Sequence, residues 1–192
     1  GQVDVDFLYY YRAARNDALT FEEQTRMSVQ NLVSFLDAAT SSAEYARNRV
    51  VVHGIHLPPL DDALMALEMG RHMQKNGLKL SSDTPVMTLP SHVKRTAMAL
   101  RFNEQLSIAA KAAGFQFVDI SGSLLDGSTG VVKKELTRRS KVDIHLDDDA
   151  LAPLYASAYK ELGLEFATVS LAAADAIDFQ GDGACSQRKV HR

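Results

Sequence analysis

The chain has no tryptophan, one cysteine and five prolines, and aromatic residues fill only 7% of its 192 positions. A lone thiol, Cys185 in a polar tail, can form no intrachain disulfide. The core must therefore hold by burial alone, and a reducing, cytoplasmic compartment fits. There is no charge of one sign either: 21 Lys+Arg face 24 Asp+Glu, a net charge of −3. Basic groups such as Arg47/Arg49 and Lys133/Lys134 are short and interrupted, which argues against nucleic acid as a partner. No apolar run approaches the about 20 residues a bilayer span requires, and Gly1-Gln2-Val3-Asp4 has neither the basic nor the apolar part of a signal peptide. A membrane partner is not expected.

What is present, 46% hydrophobic and 23% charged residues, is the composition of one globular domain. Thr20-Phe21-Glu22-Glu23 places a Thr and a Glu three residues apart, a capping box that predicts a helix from Phe21 to about Ala39. Val29, Leu32, Val33 and Leu36 are expected on its buried face. Arg49-Val50-Val51-Val52-His53 is a continuous β-branched run, the pattern of a strand covered on both faces. Gly54 and Pro58-Pro59 end it. Asp61 and Asp62 then open a short helix, and residues 77–90 read as loop; a connection this long is usually functional or a lid. Ser91 caps a long helix ending at Ala113-Gly114, with Ala99, Phe102, Leu106, Ala109 and Ala113 on one stripe. Phe115 to Ile120 is a second strand, residues 122–141 a loop region, and the helix opened by Asp147-Asp148-Asp149 runs to Gly163.

Strands alternating with helices predict an α/β layer with parallel strands. Two strands are too few to cover both long helices, which points to sheet strands upstream of Gly1. Residues 1–165 thus read as an incomplete α/β domain and 166–192 as a C-terminal extension, disordered from about residue 180.

Chemistry in open α/β sheets collects at the carboxyl ends of the strands. There, Asp143-Ile144-His145 places a His beside a carboxylate on a loop ending at a helix, an arrangement suited to a general base; the plain alternative is a surface turn. His53 and His56 could bind zinc, but two imidazoles with no third ligand more often make local hydrogen bonds. Asp147, Asp148 and Asp149 read as helix-capping rather than metal-binding. Tyr9-Tyr10-Tyr11 could stack a ligand or pack a strand edge. Ser121, Ser123 and Ser128 lie in neither a Gly-x-Ser-x-Gly nor a Gly-Asp-Ser context, and Cys185 has no fixed cationic neighbour.

The order of these pieces resembles the downstream two-thirds of SGNH (GDSL-like) hydrolases, from Gly1 to about Gly163. The pieces are Gly1-Gln2-Val3-Asp4, the Phe21 helix, Val50 through Pro59, Phe102-Asn103-Glu104-Gln105-Leu106, Phe117-Val118-Asp119-Ile120, Leu124-Leu125-Asp126 with Gly130, and Asp143-Ile144-His145-Leu146. The resemblance implies a flavodoxin-like three-layer αβα sandwich, here without its first strands. It further implies serine esterase or acyl-hydrolase chemistry on a small-molecule or carbohydrate ester, with no cofactor and no metal. By that resemblance His145 is the general base, Asp143 orients it, and Gly1 and Asp4 lie at the oxyanion side of the cleft. Three features depart from the family: His145 follows Asp143 by two positions instead of three, Val3 stands where an Asn is usual, and no Gly-Asp-Ser block occurs in the 192 residues. The chain alone is then expected to be inactive. Two rival expectations stand beside this one. One is a non-catalytic α/β ligand-binding module of the same layout; the other is an interaction domain whose unpaired sheet edge recruits another chain.

Overall fold

The computed structural model describes residues 19–41, 47–75, 89–138 and 145–164. Its elements are α1 (Phe21–Thr40), β1 (Val51–His53), α2 (Asp62–Lys75), α3 (His92–Ala112), β2 (Gln116–Val118), a short α4 (Ser121–Leu124) and α5 (Asp148–Glu161). Two single 3-10 turns, Arg47–Arg49 and Lys134–Leu136, lie between them. β1 and β2 pair in parallel, with Val51 opposite Gln116 and His53 opposite Val118. This is a mixed α/β fold, mostly helical, on a two-stranded parallel sheet.

The helix starts follow the local chemistry. The Thr20 side chain accepts from the Glu23 N–H while the Glu23 carboxylate accepts from the Thr20 N–H, so the expected capping box forms. Ser91 accepts from the Lys94 N–H at the start of α3, and Asp147 from the Ala150 N–H at the start of α5. At the far end of α3, Gly114 takes a φ of +84°, the left-handed conformation that ends a helix at little cost only for glycine. From there Phe115 turns directly into β2.

Alternation along the strands divides the core in two. Val52 joins Phe21 and Val29 of α1 and Phe102 and Leu106 of α3 in one cluster. Val51 and Val118 face the other cluster, built on Leu57, Leu124, Leu146 and Leu151 and flanked by Tyr155 and Tyr159 of α5. Leu57, Leu124 and Leu146 are fully buried, each contributing about 2 kcal/mol by removal of its side chain from water. The connection after β1 is fastened to α3: the buried Arg95 donates to the Leu60 and Pro90 carbonyls and to Asp62, and His92 Nε2 lies 2.6 Å from the Pro58 carbonyl.

Several expectations are corrected by the packing. Leu32 is exposed, because the α1 face toward the core runs through Phe21, Thr25 and Val29. The helix after Asp61 is not short: α2 continues to Lys75, since Met65, Met69 and Met73 recur every fourth residue and all three are buried. β1 is covered on both faces only at its middle, with Val52 buried and His53 exposed. The region after β2 is not plain loop but carries α4, a Lys134–Leu136 turn and two isolated antiparallel bridges. The loop at 77–90, apart from its last two residues, and the tail beyond 164 lie outside the described residues.

Candidate functional site

Both strands end at the same side of the molecule, and Asn103 of α3 joins their ends. Its Oδ1 accepts from the Ile55 N–H at 2.7 Å, and its Nδ2 donates to the Ile55 carbonyl at 2.9 Å and to Ser121 Oγ at 2.8 Å. Asp119 Oδ1 lies 3.3 Å from the same Nδ2 and accepts from the Ser121 N–H at 2.9 Å. Asn103 and Ser121 are almost wholly buried, so these bonds form away from water, where an unpaired amide would cost about 1–3 kcal/mol. The approach is close enough to require glycine at 54. A Cβ there would stand 2.8 Å from Asn103 Nδ2 and 3.0 Å from Asp119 Oδ1.

Above this clamp lie two histidines and two tyrosines. His53 ends β1 and His56 follows it by one turn of chain; Tyr155 and Tyr159 are one helical turn apart on α5. His56 Nε2 is 2.6 Å from the Tyr155 hydroxyl, and His53 Nε2 is hydrogen bonded to the Tyr159 hydroxyl. The His53 ring centre is 5.2 Å from that of Tyr155 and 5.4 Å from that of Tyr159. Burial lowers the pKa of both histidines. At His56 the Asp148 carboxylate opposes that shift, while His53 and His145 add to it. Burial pushes the Tyr155 phenol up to about 12, with Tyr159 and Asp119 adding to the effect, and burial also raises Tyr159. At neutral pH the cluster is therefore four neutral rings joined in two hydrogen-bonded pairs.

His145 is exposed at the start of α5 and within electrostatic reach of His56. Its position is fixed by Leu146, which is fully buried, pairs with Thr137 in an antiparallel bridge and accepts at its carbonyl from Arg138 Nε. Asp143, Gly1 and Asp4 lie outside the described residues, as do Tyr9 to Tyr11 and Cys185. Of the three acids expected to cap α5, Asp147 does so, whereas Asp148 pairs with Arg138 at 2.5 Å. Ser121 Oγ is occupied by Asn103, and Ser128 is turned onto the Asp126 carboxylate. Among the described residues no group of three or more His, Cys, Asp or Glu could hold a metal ion, and none of their helices is long and apolar enough to cross a membrane.

Asn103 and Asp119 stand in the pieces that carry the family resemblance, but the sequence predicts neither their clamp nor the tyrosine pairing. Asn103 had a visible signal, a polar residue on a stripe otherwise made of Ala99, Phe102, Leu106 and Ala110. Tyr155 and Tyr159 had only their helical spacing, and their partners lie about a hundred positions away. No protein-family model, curated protein or solved structure matches the chain.

Proposed function

We propose that the chain is the downstream part of an SGNH-like acyl hydrolase, a serine esterase acting on a small-molecule or carbohydrate ester, folded as a flavodoxin-like three-layer sandwich. The observation that carries this reading is the position of His145. Leu146, buried and bridged to Thr137, anchors the neighbouring His145 within electrostatic reach of His56, which follows the carboxyl end of β1, the side where sheets of this type do their chemistry. In this reading His145 takes the proton of a nucleophilic serine, Asp143 orients the imidazole, and the serine belongs to a Gly-Asp-Ser block that the 192 residues do not contain. The chain by itself then turns over no ester. In the protein expressed from its complete reading frame, His145→Ala lowers turnover of short-chain p-nitrophenyl esters at least 1,000-fold, the order expected for a triad member, with an unchanged melting temperature. Unaltered turnover would sink the assignment.

A second reading, a non-catalytic ligand-binding module of the same layout, is favoured by one observation. Both strand-end histidines already spend Nε2 on a tyrosine, which suits a wall that recognises a ligand rather than one that moves protons. A serine-directed fluorophosphonate separates the two readings, since only an activated serine is labelled.

A further inference from the structure

Next to the ring cluster the fold leaves a hollow of about 560 Å³, a volume within the range of small-molecule sites. Three elements enclose it: α1, α3 and the end of β1 with His53 and Ile55. Its floor is Phe102 and Leu106 of α3, only 3% and 1% exposed. Both belong to the core cluster that holds Phe21, Val29 and Val52, so close packing keeps the floor in place.

The wall that α1 contributes is polar but uncharged. Gln24, Ser28 and Asn31 stand at i, i+4 and i+7, on one face of the helix, and all three line the hollow. Gln24 Nε2 donates to Ser28 Oγ at 3.2 Å, which joins two of them in one strip. Leu19, just before the helix, and Met27 and Leu32 complete this wall and are between 37% and 41% exposed. Apolar side chains left in water around a concavity are surface that a bound molecule can cover.

Among the described residues none that lines the hollow is Lys, Arg, Asp or Glu. Its one histidine, His53, is neutral at neutral pH, because burial lowers its pKa. An ion entering there would give up water and gain no ionic partner, a loss that a neutral molecule avoids. A bare hydrocarbon would in turn strip water from Gln24, Ser28 and Asn31 and return no hydrogen bond. The lining therefore selects for both neutrality and a polar group.

We propose that this hollow is a binding site for an uncharged amphipathic small molecule. Its apolar part lies on Ile55, Phe102 and Leu106, and its amide, ester or hydroxyl group meets the strip of Gln24, Ser28 and Asn31. A molecule seated there also touches His53, whose Nε2 is hydrogen bonded to the Tyr159 hydroxyl, so the site adjoins the strand-end rings. The inference does not rest on hydrolase activity and holds equally for a binding module; its failure would leave the hydrolase reading untouched.

The test uses the 192-residue chain, labelled with 15N, at pH 7.5. Three probes of equal size are titrated below the concentrations at which they form micelles: N-octylacetamide, decanoate and octyltrimethylammonium. N-octylacetamide should give saturable shifts centred on the amides of Gln24, Ser28, Asn31, His53 and Ile55, with a Kd at least about 10-fold below that of either ion. Asn31 is exposed on the helix, so a charge can be set in the wall without disturbing the core. Asn31→Asp should tighten octyltrimethylammonium about 3-fold or more, and Asn31→Lys should do the same for decanoate. No saturable shift with N-octylacetamide, shifts confined to other residues, or equal affinity for the three probes would overturn the proposal. So would affinities unmoved by either variant, which place the probe elsewhere. Shifts of the same amides that grow with protein concentration in the absence of any probe would assign the hollow to a second copy of the chain and overturn it as well.

Discussion

Asn103 grips Ile55 from both sides, accepting its N–H at 2.7 Å and donating to its carbonyl at 2.9 Å. One helix side chain thus plays the part of a strand neighbour where β1 has run out, and the same amide reaches Ser121 after β2. Removing it by Asn103→Ala leaves the Ile55 amide and carbonyl and the Ser121 hydroxyl without this partner in a buried place. The expected loss is about 3 kcal/mol of unfolding free energy, read as a fall in the urea midpoint. Asn103→Asp should be no better, because it deletes the donors and sets a carboxylate beside Asp119.

Gly54 is the counterpart of that clamp. Gly54→Ala drives a Cβ to 2.8 Å from Asn103 Nδ2, and we expect a cost of about 1–3 kcal/mol through overpacking. In the double variant with Asn103→Ala the closest obstacle, the amide, is gone, while Asp119 Oδ1 stays at 3.0 Å. The two costs should therefore add to less than their sum, by more than about 0.5 kcal/mol, and simple additivity would show that the two positions do not meet.

These two residues also show how far the sequence could be read. The capping box at Thr20, the Ser91 cap and the Gly114 stop are local chemistry, and α1, α3 and α5 appear where such signals place them. Leu32, expected on the buried face, is exposed because α1 bears two stripes with apolar residues, and periodicity alone does not say which one meets the core. The buried methionines of α2 recur every fourth residue, but the opening acids Asp61 and Asp62 mark only where the helix starts and not how far it runs. His53 and His56 are visible in the sequence as strand-end residues, yet their partners come from α5, and a contact across about a hundred residues leaves no local mark.

The neutral histidines make stability depend on pH in a defined direction. Burial lowers the pKa of His53, His56 and His92 below the ordinary 6.5, so between 6.5 and the folded-state values the unfolded chain binds more protons than the folded one. This contribution is complete above about pH 7 and is lost as the pH falls through 6.5 toward the folded-state pKa values. Urea midpoints should decline from pH 7.5 to 5.0, and His56→Gln should make that decline shallower without abolishing it. A decline unchanged by the substitution would mean that His56 does not resist protonation.

The tyrosines give an independent check on the cluster. Absorbance titration at 295 nm should show one of the six phenols held back toward pH 12, and Tyr155→Phe should remove that late step. The same variant loses the hydrogen bond to His56 and should lower stability by about 1 kcal/mol. Retention of the late step in Tyr155→Phe would place the buried phenol elsewhere.

The most direct test of hydrolase function is labelling by a serine-directed fluorophosphonate of the protein expressed from its complete reading frame, with the site mapped by mass spectrometry. The prediction is stoichiometric labelling of one serine within a Gly-Asp-Ser block, slowed at least about 100-fold by His145→Ala, because the imidazole is what activates the hydroxyl. Absence of labelling, or labelling at the same rate in His145→Ala, would contradict the hydrolase and leave the strand-end cleft as a ligand-binding wall.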